Sequence, residues 1–218
     1  MSKKSKNKIL ICGGGSQSMA VIDIVYENKD YYDLVGVVDI KRNKKYYLDV
    51  PFIGYDKNLN QLFKEGIKYA FPAIGFGDGT NNELRFKIFL KLQKIGFKIP
   101  NLISNKAIIK YGVKMGKGNL IQSGSIIDNY CVLKNNISIG LNCTIGHNSI
   151  ISNHVTMSGG VITNGGSKIG EKSFLGMGAV IYSDIGKNCK IAPNISIIEK
   201  TKNNEIIFDG SKNKKYKK

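Results

Sequence analysis

The 218-residue chain contains two histidines, His147 and His154, and four cysteines, Cys12, Cys131, Cys143 and Cys189. An imidazole ordinarily titrates near neutral pH, so it can accept and return a proton during a reaction. His147 follows Ile145-Gly146 in a six-residue repeat, at a place where a turning backbone should hold the side chain outward. It is the candidate general base. A lone histidine is more often a solvated surface group, and His154, with no obvious partner in sequence, takes that reading. The cysteines form no C-x-x-C pair, and two histidines are too few for the usual zinc spacings, so free thiols in a reducing compartment and no metal are expected.

A second group of residues lies near the start. Gly13-Gly14-Gly15-Ser16-Gln17-Ser18 follows a short apolar run, Lys8–Cys12. Glycines there let a backbone approach an anion, and the start of a helix offers free N–H groups. The dinucleotide fingerprint G-x-G-x-x-G is incomplete, since Ser18 holds the last place. Asp39 ends the next apolar run, where an acid could hold a ribose or base hydroxyl. An ordinary tight turn and a strand-end acid account for the pattern equally well.

Two periodicities position these residues. Over 8–104, strands at Lys8–Cys12, Leu34–Asp39, Ala70–Ile74 and Phe97–Ile103 alternate with helices near Gln17–Asn28, Asn58–Glu65 and Glu83–Ile95. That order predicts a small parallel α/β, Rossmann-like sheet. From Ile109 the chain changes to a period of six: Ile109, Met115, Ile121, Ile127, Leu133, Ile139, Ile145, Ile151, Met157, Thr163, Ile169, Leu175 and Ile181. Neither a helix nor a single strand has that period. A chain that bends every six residues stacks one column of side chains coil on coil, so 105–199 is expected to be a parallel β-helix. Gly140, Gly146, Gly170 and Gly176 follow repeat positions, where small or left-handed corner residues are expected. The register slips after Ile181 and resumes at Ile185, Ile191 and Ile197, which suggests a short loop. Residues 1–7 and 200–218 read as basic tails, the last eight residues or so loosely attached.

Composition narrows the function classes. The chain is 42% hydrophobic and 22% charged, as in folded globular proteins. No apolar run reaches the length of a membrane span, and the run after the N-terminal lysines is too short for a signal peptide. A cytoplasmic protein is expected. The net charge of +17 invites a nucleic-acid reading, but 11 of the 33 basic residues lie at the two ends, Lys3, Lys4, Lys6 and Lys8 and the seven from Lys200 on, and no tryptophan is present, so nucleic acid is not expected as a partner.

The stretches just described resemble, over roughly residues 8–200, the sugar O-/N-acetyltransferases of the PglD/NeuD type. The carriers are the turn at 13–18, Val37-Val38-Asp39, Ala73-Ile74-Gly75, Gly96-Phe97-Lys98-Ile99, Asn101-Leu102-Ile103, Ile145-Gly146-His147-Asn148, Asn164-Gly165-Gly166-Ser167-Lys168-Ile169-Gly170 and Phe174-Leu175-Gly176. The resemblance implies a left-handed β-helix and a homotrimer with active sites between subunits. It implies acetyl-CoA as co-substrate and transfer of its acetyl group to the amine of a nucleotide-linked amino-deoxy sugar in making surface glycans. His147, Asn148 and Gly165 would be catalytic, with the Gly165 N–H facing the acetyl carbonyl. Gly13, Gly14, Gly15, Ser16, Gln17, Asp39 and Gly75 would bind the nucleotide sugar. Thr156, Gly165 and Gly176 would bind the cofactor. Gln17 and Thr156 stand where the family commonly carries histidine, Asn148 where it carries an acid, and Phe208-Asp209-Gly210-Ser211-Lys212 where it carries V-G-x-P-A-K. O-acetylation of a sialic-acid-like sugar is the alternative, and a catalytically silent trimeric sensor or scaffold a further one.

Overall fold

The computed structural model describes residues 6–41, 49–75 and 82–208. The expected tails at 1–5 and 209–218 lie outside them. The chain divides into two compact units, Met1–Asn105 and Lys106–Lys218.

The first unit is built on β1 (Asn7–Cys12), β2 (Tyr32–Asp39), β3 (Phe52–Tyr55) and β4 (Tyr69–Pro72), in the order β3-β2-β1-β4 and all parallel. The central strand buries Ile9, Leu10, Ile11 and Cys12 completely, as expected of a parallel strand covered on both faces. Helix α1 (Gln17–Glu27) buries Ser18, Val21, Ile22 and Val25, spaced to form one face. Helices α2 (Leu59–Lys64) and α3 (Asn82–Ile95) complete the unit.

The sheet differs from the expectation at its edges. One edge is strand β3, which the sequence pattern does not predict, and Phe97–Ile103 is not a strand of this sheet. Only Lys98 bridges to Tyr69, and Leu102–Ile103 forms a two-residue strand outside this sheet. Phe97 and Ile99 are buried; alternate burial made the segment look like a strand of this sheet, although extended chain that meets the sheet at one residue has the same period.

The second unit is a parallel β-helix. Each coil places a two-residue strand on each of three walls. One wall carries 120–121, 138–139, 156–157, 174–175, 190–191 and 206–207. The next carries 108–109, 126–127, 144–145, 162–163, 180–181 and 196–197, and the third carries 114–115, 132–133, 150–151 and 168–169. Through the lower coils strand partners lie eighteen residues apart, as in Ser138↔Thr156 and Ile145↔Thr163. The six-residue repeat is the second residue of each strand, and from Ile121 to Ile181 these residues are all buried.

The corners hold a left-handed residue at every sixth position from 112 to 178, among them Gly112, Asn136, Asn142, Asn148, His154 and Gly178. Asn tolerates that region better than most side chains. Gly140, Gly146, Gly170 and Gly176 are not left-handed. They are glycine because the next coil touches them: a Cβ on Gly146 would come within 2.6 Å of Asn164 C and Gly165 N. Inside the corners, small donors tie coil to coil: Ser125 Oγ donates to Gly140 O at 2.7 Å, Cys131 Sγ to Gly146 O at 3.1 Å and Cys143 Sγ to Ser158 O at 3.0 Å. All four thiols are free and buried.

The β-helix runs past 199. Strand 206–207 pairs with 190–191, and Thr201 and Glu205 are buried. The neighbouring lysines made the segment read as tail, whereas their side chains project from a coil of normal packing. A Cβ on Gly170 would run into the Gly186 carbonyl and the Lys187 amide, while one on Gly159 would meet Leu141 O at an ordinary 3.4 Å. Gly170→Ala should therefore lower stability by about 2 kcal/mol or more, and Gly159→Ala should barely move the thermal unfolding midpoint.

Candidate active site

His147 sits on the corner between the 144–145 and 150–151 walls, and its side chain is exposed. The corner is held from both sides. Asn148 N donates to Asn129 O in the coil below at 2.9 Å, and Gly166 N donates to His147 O from the coil above at 2.7 Å. The ring lies over Gly165, where a Cβ would come within 2.5 Å of Nε2 and 2.7 Å of Cε1. Only glycine leaves the imidazole that position. Asn148, with φ 57°, turns the chain and brings its amide Nδ2 to 3.0 Å from His147 Nδ1.

Among the described residues the Gly165 N–H meets no acceptor. Its surroundings are open as well: a Cβ on Gly166 would meet nothing within 4 Å. The chain above explains the opening. Thr163 to Ile169 spans six positions, but their partners one coil up, Ile181 and Ile185, are only four apart. The slip in the repeat is thus a corner two residues shorter, which cuts inside the line of the corners below. A bare donor and an imidazole side by side on an open ledge are the groups that can stabilise a developing oxyanion and accept a proton.

Sequence reasoning missed Asp128, one coil beneath. Its N–H donates to Ile145 O at 3.0 Å. Its Oδ1 accepts the Asn129 N–H at 2.8 Å and lies 3.3 Å from Lys110 Nζ. The Asn129 N–H above all, then Lys110 and the charge of His147, hold its carboxyl below the usual carboxylate range. The signal was available: 128 plus three hexads is 146, the residue before His147.

Thr156 and Gly176 are not beside His147 within one chain. Thr156 lies nine residues on, half a coil around, and Gly176 follows the strand stacked on it. Gly176 also has a packing reason to be glycine, because a Cβ would meet Pro193 N at 2.5 Å. His154, far from being solvated, is buried at a corner with its Nδ1 2.9 Å from Asn136 Nδ2.

In the first unit the turn, Asp39 and Gly75 do converge. Gly13 takes φ 108°, and a Cβ there would meet Ala73 O at 2.9 Å. Gly14 N donates to Asp39 Oδ2 at 2.8 Å and Ile40 N to Asp39 Oδ1 at 2.7 Å. Asp39 thus latches the turn, and the Gly14 N–H is already taken by a carboxylate. Gln17 packs against Gly75, and its Nε2 is buried without a hydrogen-bond partner.

An α/β sheet with a latched glycine turn, followed by a β-helix carrying an exposed histidine over a glycine, defines a class of two-part hexapeptide-repeat proteins. Residues 8–92 match the PglD N-terminal domain. Three solved structures share the fold. The perosamine N-acetyltransferase PerB of Caulobacter crescentus, in complex with CoA and GDP-perosamine, is 24% identical over 93% of this chain and 94% of its own, with a TM-score of 0.84. The acetyltransferase domain of PglB from Neisseria gonorrhoeae, in complex with acetyl coenzyme A, is 23% identical over 93% and 96%, at 0.83. WeeI from Acinetobacter baumannii is 17% identical over 91% and 94%, at 0.75. No curated protein matches by sequence. Residues 8–92 thus form a PglD N-terminal domain, followed by a left-handed β-helix, and the chain as a whole shares the fold of these three structures.

Proposed function

We propose that the chain transfers the acetyl group of acetyl-CoA to the amine of a nucleotide-linked amino-deoxy sugar, with His147 as general base. The observation that carries this reading is His147 Nε2 poised over Gly165 beside an unpartnered Gly165 N–H. The fold neighbours crystallised with CoA, acetyl-CoA and GDP-perosamine support the choice of substrates.

In the proposed step the amine attacks the thioester carbonyl. The C–N bond forms and the Gly165 N–H steadies the oxyanion, an interaction worth about 3 kcal/mol in comparable sites. Nε2 takes the amine proton, the C–S bond breaks, and the proton passes to the departing thiolate. This needs the ring proton on Nδ1. The two ends of the Asn148 amide exchange by a 180° rotation, and the oxygen end facing Nδ1 holds the required tautomer. In the first unit, the remaining lone pairs of Asp39 and the Nε2 of Gln17 are suited to the sugar nucleotide. The test is acetyl-CoA consumption across UDP-, dTDP- and GDP-linked amino sugars and hydroxyl analogues. Turnover of an amino sugar supports the reading, and turnover of none counts against it.

Thr156 and Gly176 can share a site with His147 only if another copy presents them, since they lie half a coil away. The wall beside the His147 corner suits such a copy. Its outward column contains Ile108, Ile126, Ile162 and Val180, with Ile108 and Ile162 exposed. The protein in solution should be a trimer of three 24.0 kDa chains. Ile162→Lys should yield monomers by light scattering and lose activity with assembly. An active monomeric wild type would overturn the shared site.

A further inference from the structure

A base that accepts a proton becomes a cation, and an exposed corner gives that cation little help unless a carboxylate stands nearby. On its own coil His147 has only the uncharged Asn148 beside it. The coil above contributes Asn164, Gly165 and Gly166, none of them charged. One coil higher, Asp184 is engaged with Lys168 N at 2.9 Å and Lys200 Nζ at 3.7 Å. Below lie Asp128 and Lys110, with the phenols of Tyr111 and Tyr130 at the same corner.

The geometry points to Asp128 as the counter-ion of His147, a positioning residue that steadies the charged ring from the coil below. The proposal rests on the base reading for its role in turnover, though not for the ion pair itself. The eighteen-residue register sets Asp128 under Gly146 and Asn129 under His147, pinned by Asp128 N to Ile145 O and Asn148 N to Asn129 O. The vertical spacing of stacked strands is about 4.8 Å, well inside the Debye length at physiological salt. The Asn129 N–H and Lys110 hold the carboxylate in place and ionised. Because its carboxyl is held below the ordinary range, falling pH should remove this counter-charge only below the usual carboxylate titration.

The structural alternative is that Asp128 merely caps the Asn129 N–H. Asp128→Asn separates the two, because the amide oxygen keeps the cap and loses the charge. The experiment follows the His147 ring resonances against pH in the free protein, assigned by their absence in His147→Ala, for wild type, Asp128→Asn and Lys110→Met. The midpoint should move to lower pH in Asp128→Asn. It should move to higher pH in Lys110→Met, which removes a competing cation and leaves the fold-bearing backbone contacts untouched. kcat/KM should fall in Asp128→Asn by up to about fivefold, as expected of an exposed pair. Coincident ring titrations in all three proteins overturn the counter-ion, whatever the activity. A moved titration with unchanged kcat/KM upholds the ion pair and overturns its role in turnover.

Discussion

His147→Ala should lower kcat by about 10²–10⁴-fold, the usual contribution of general acid–base catalysis, while both substrates still bind. The side chain is exposed, and the corner is held by backbone hydrogen bonds from Asn148 N to Asn129 O and from Gly166 N to His147 O that do not involve the ring. Truncation should therefore leave the thermal unfolding midpoint near wild type, so the loss can be assigned to chemistry. Steady-state kinetics with the best acceptor, with binding of CoA measured separately, is the check. Near-wild-type turnover would remove the base and leave an enzyme that works by placing a free amine beside a thioester.

Gly165→Ala should be nearly as damaging, by a different route. The backbone at 165 is outside the left-handed region, so alanine is tolerated conformationally. Its Cβ, however, would stand 2.5 Å from His147 Nε2. The ring has to swing away, and a displacement near 1 Å can cost on the order of 10²-fold in rate. The effect should appear in kcat, with the KM for the sugar little changed. The double variant His147→Ala, Gly165→Ala sorts the causes. If alanine at 165 acts only by moving the ring, the double variant matches His147→Ala alone. A further loss measures disturbance of the Gly165 N–H. Wild-type turnover by Gly165→Ala would show that the ring need not lie where it does.

The β-helix was legible because its signal is redundant. Thirteen positions in phase from Ile109 to Ile181 all became the second residue of a short strand. The first unit was legible at its centre, where Ile9–Cys12 must be buried on both faces, and not at its edges. Phe52-Ile53-Gly54-Tyr55 is four residues long, half-buried or exposed, and contains a glycine, so local pattern does not announce it. Phe97–Ile103 shows the converse: alternating burial with only Lys98 bonded to the α/β sheet. The corner glycines meet the expectation through their small size and not through left-handed backbone. Left-handed backbone falls at every sixth residue from 112 to 178, often on Asn, whereas Gly140 and Gly146 yield space to the next coil. His147 stood out as a residue type. Asp128 did not, because nineteen residues separate the two and only folding the hexads into three-walled coils makes them neighbours.

The short corner at 182–184 has a consequence for how such a chain can vary in length. From 109 to 181 every corner has the same length, and within a two-residue strand an insertion or deletion of one residue would turn its buried side chain outward. Above it, Leu175↔Ile191, Ile181↔Ile197 and Ile191↔Ile207 are each sixteen residues apart. Two residues have been left out per coil at the same corner, and the walls continue in register across the omission. Restoring two residues there would cost the walls nothing and would extend the corner outward, over Gly165 and Gly166. Indels at this one vertex, more than substitutions on the ledge, are the economical way for a sequence of this design to widen, narrow or roof the space in which an acceptor must fit.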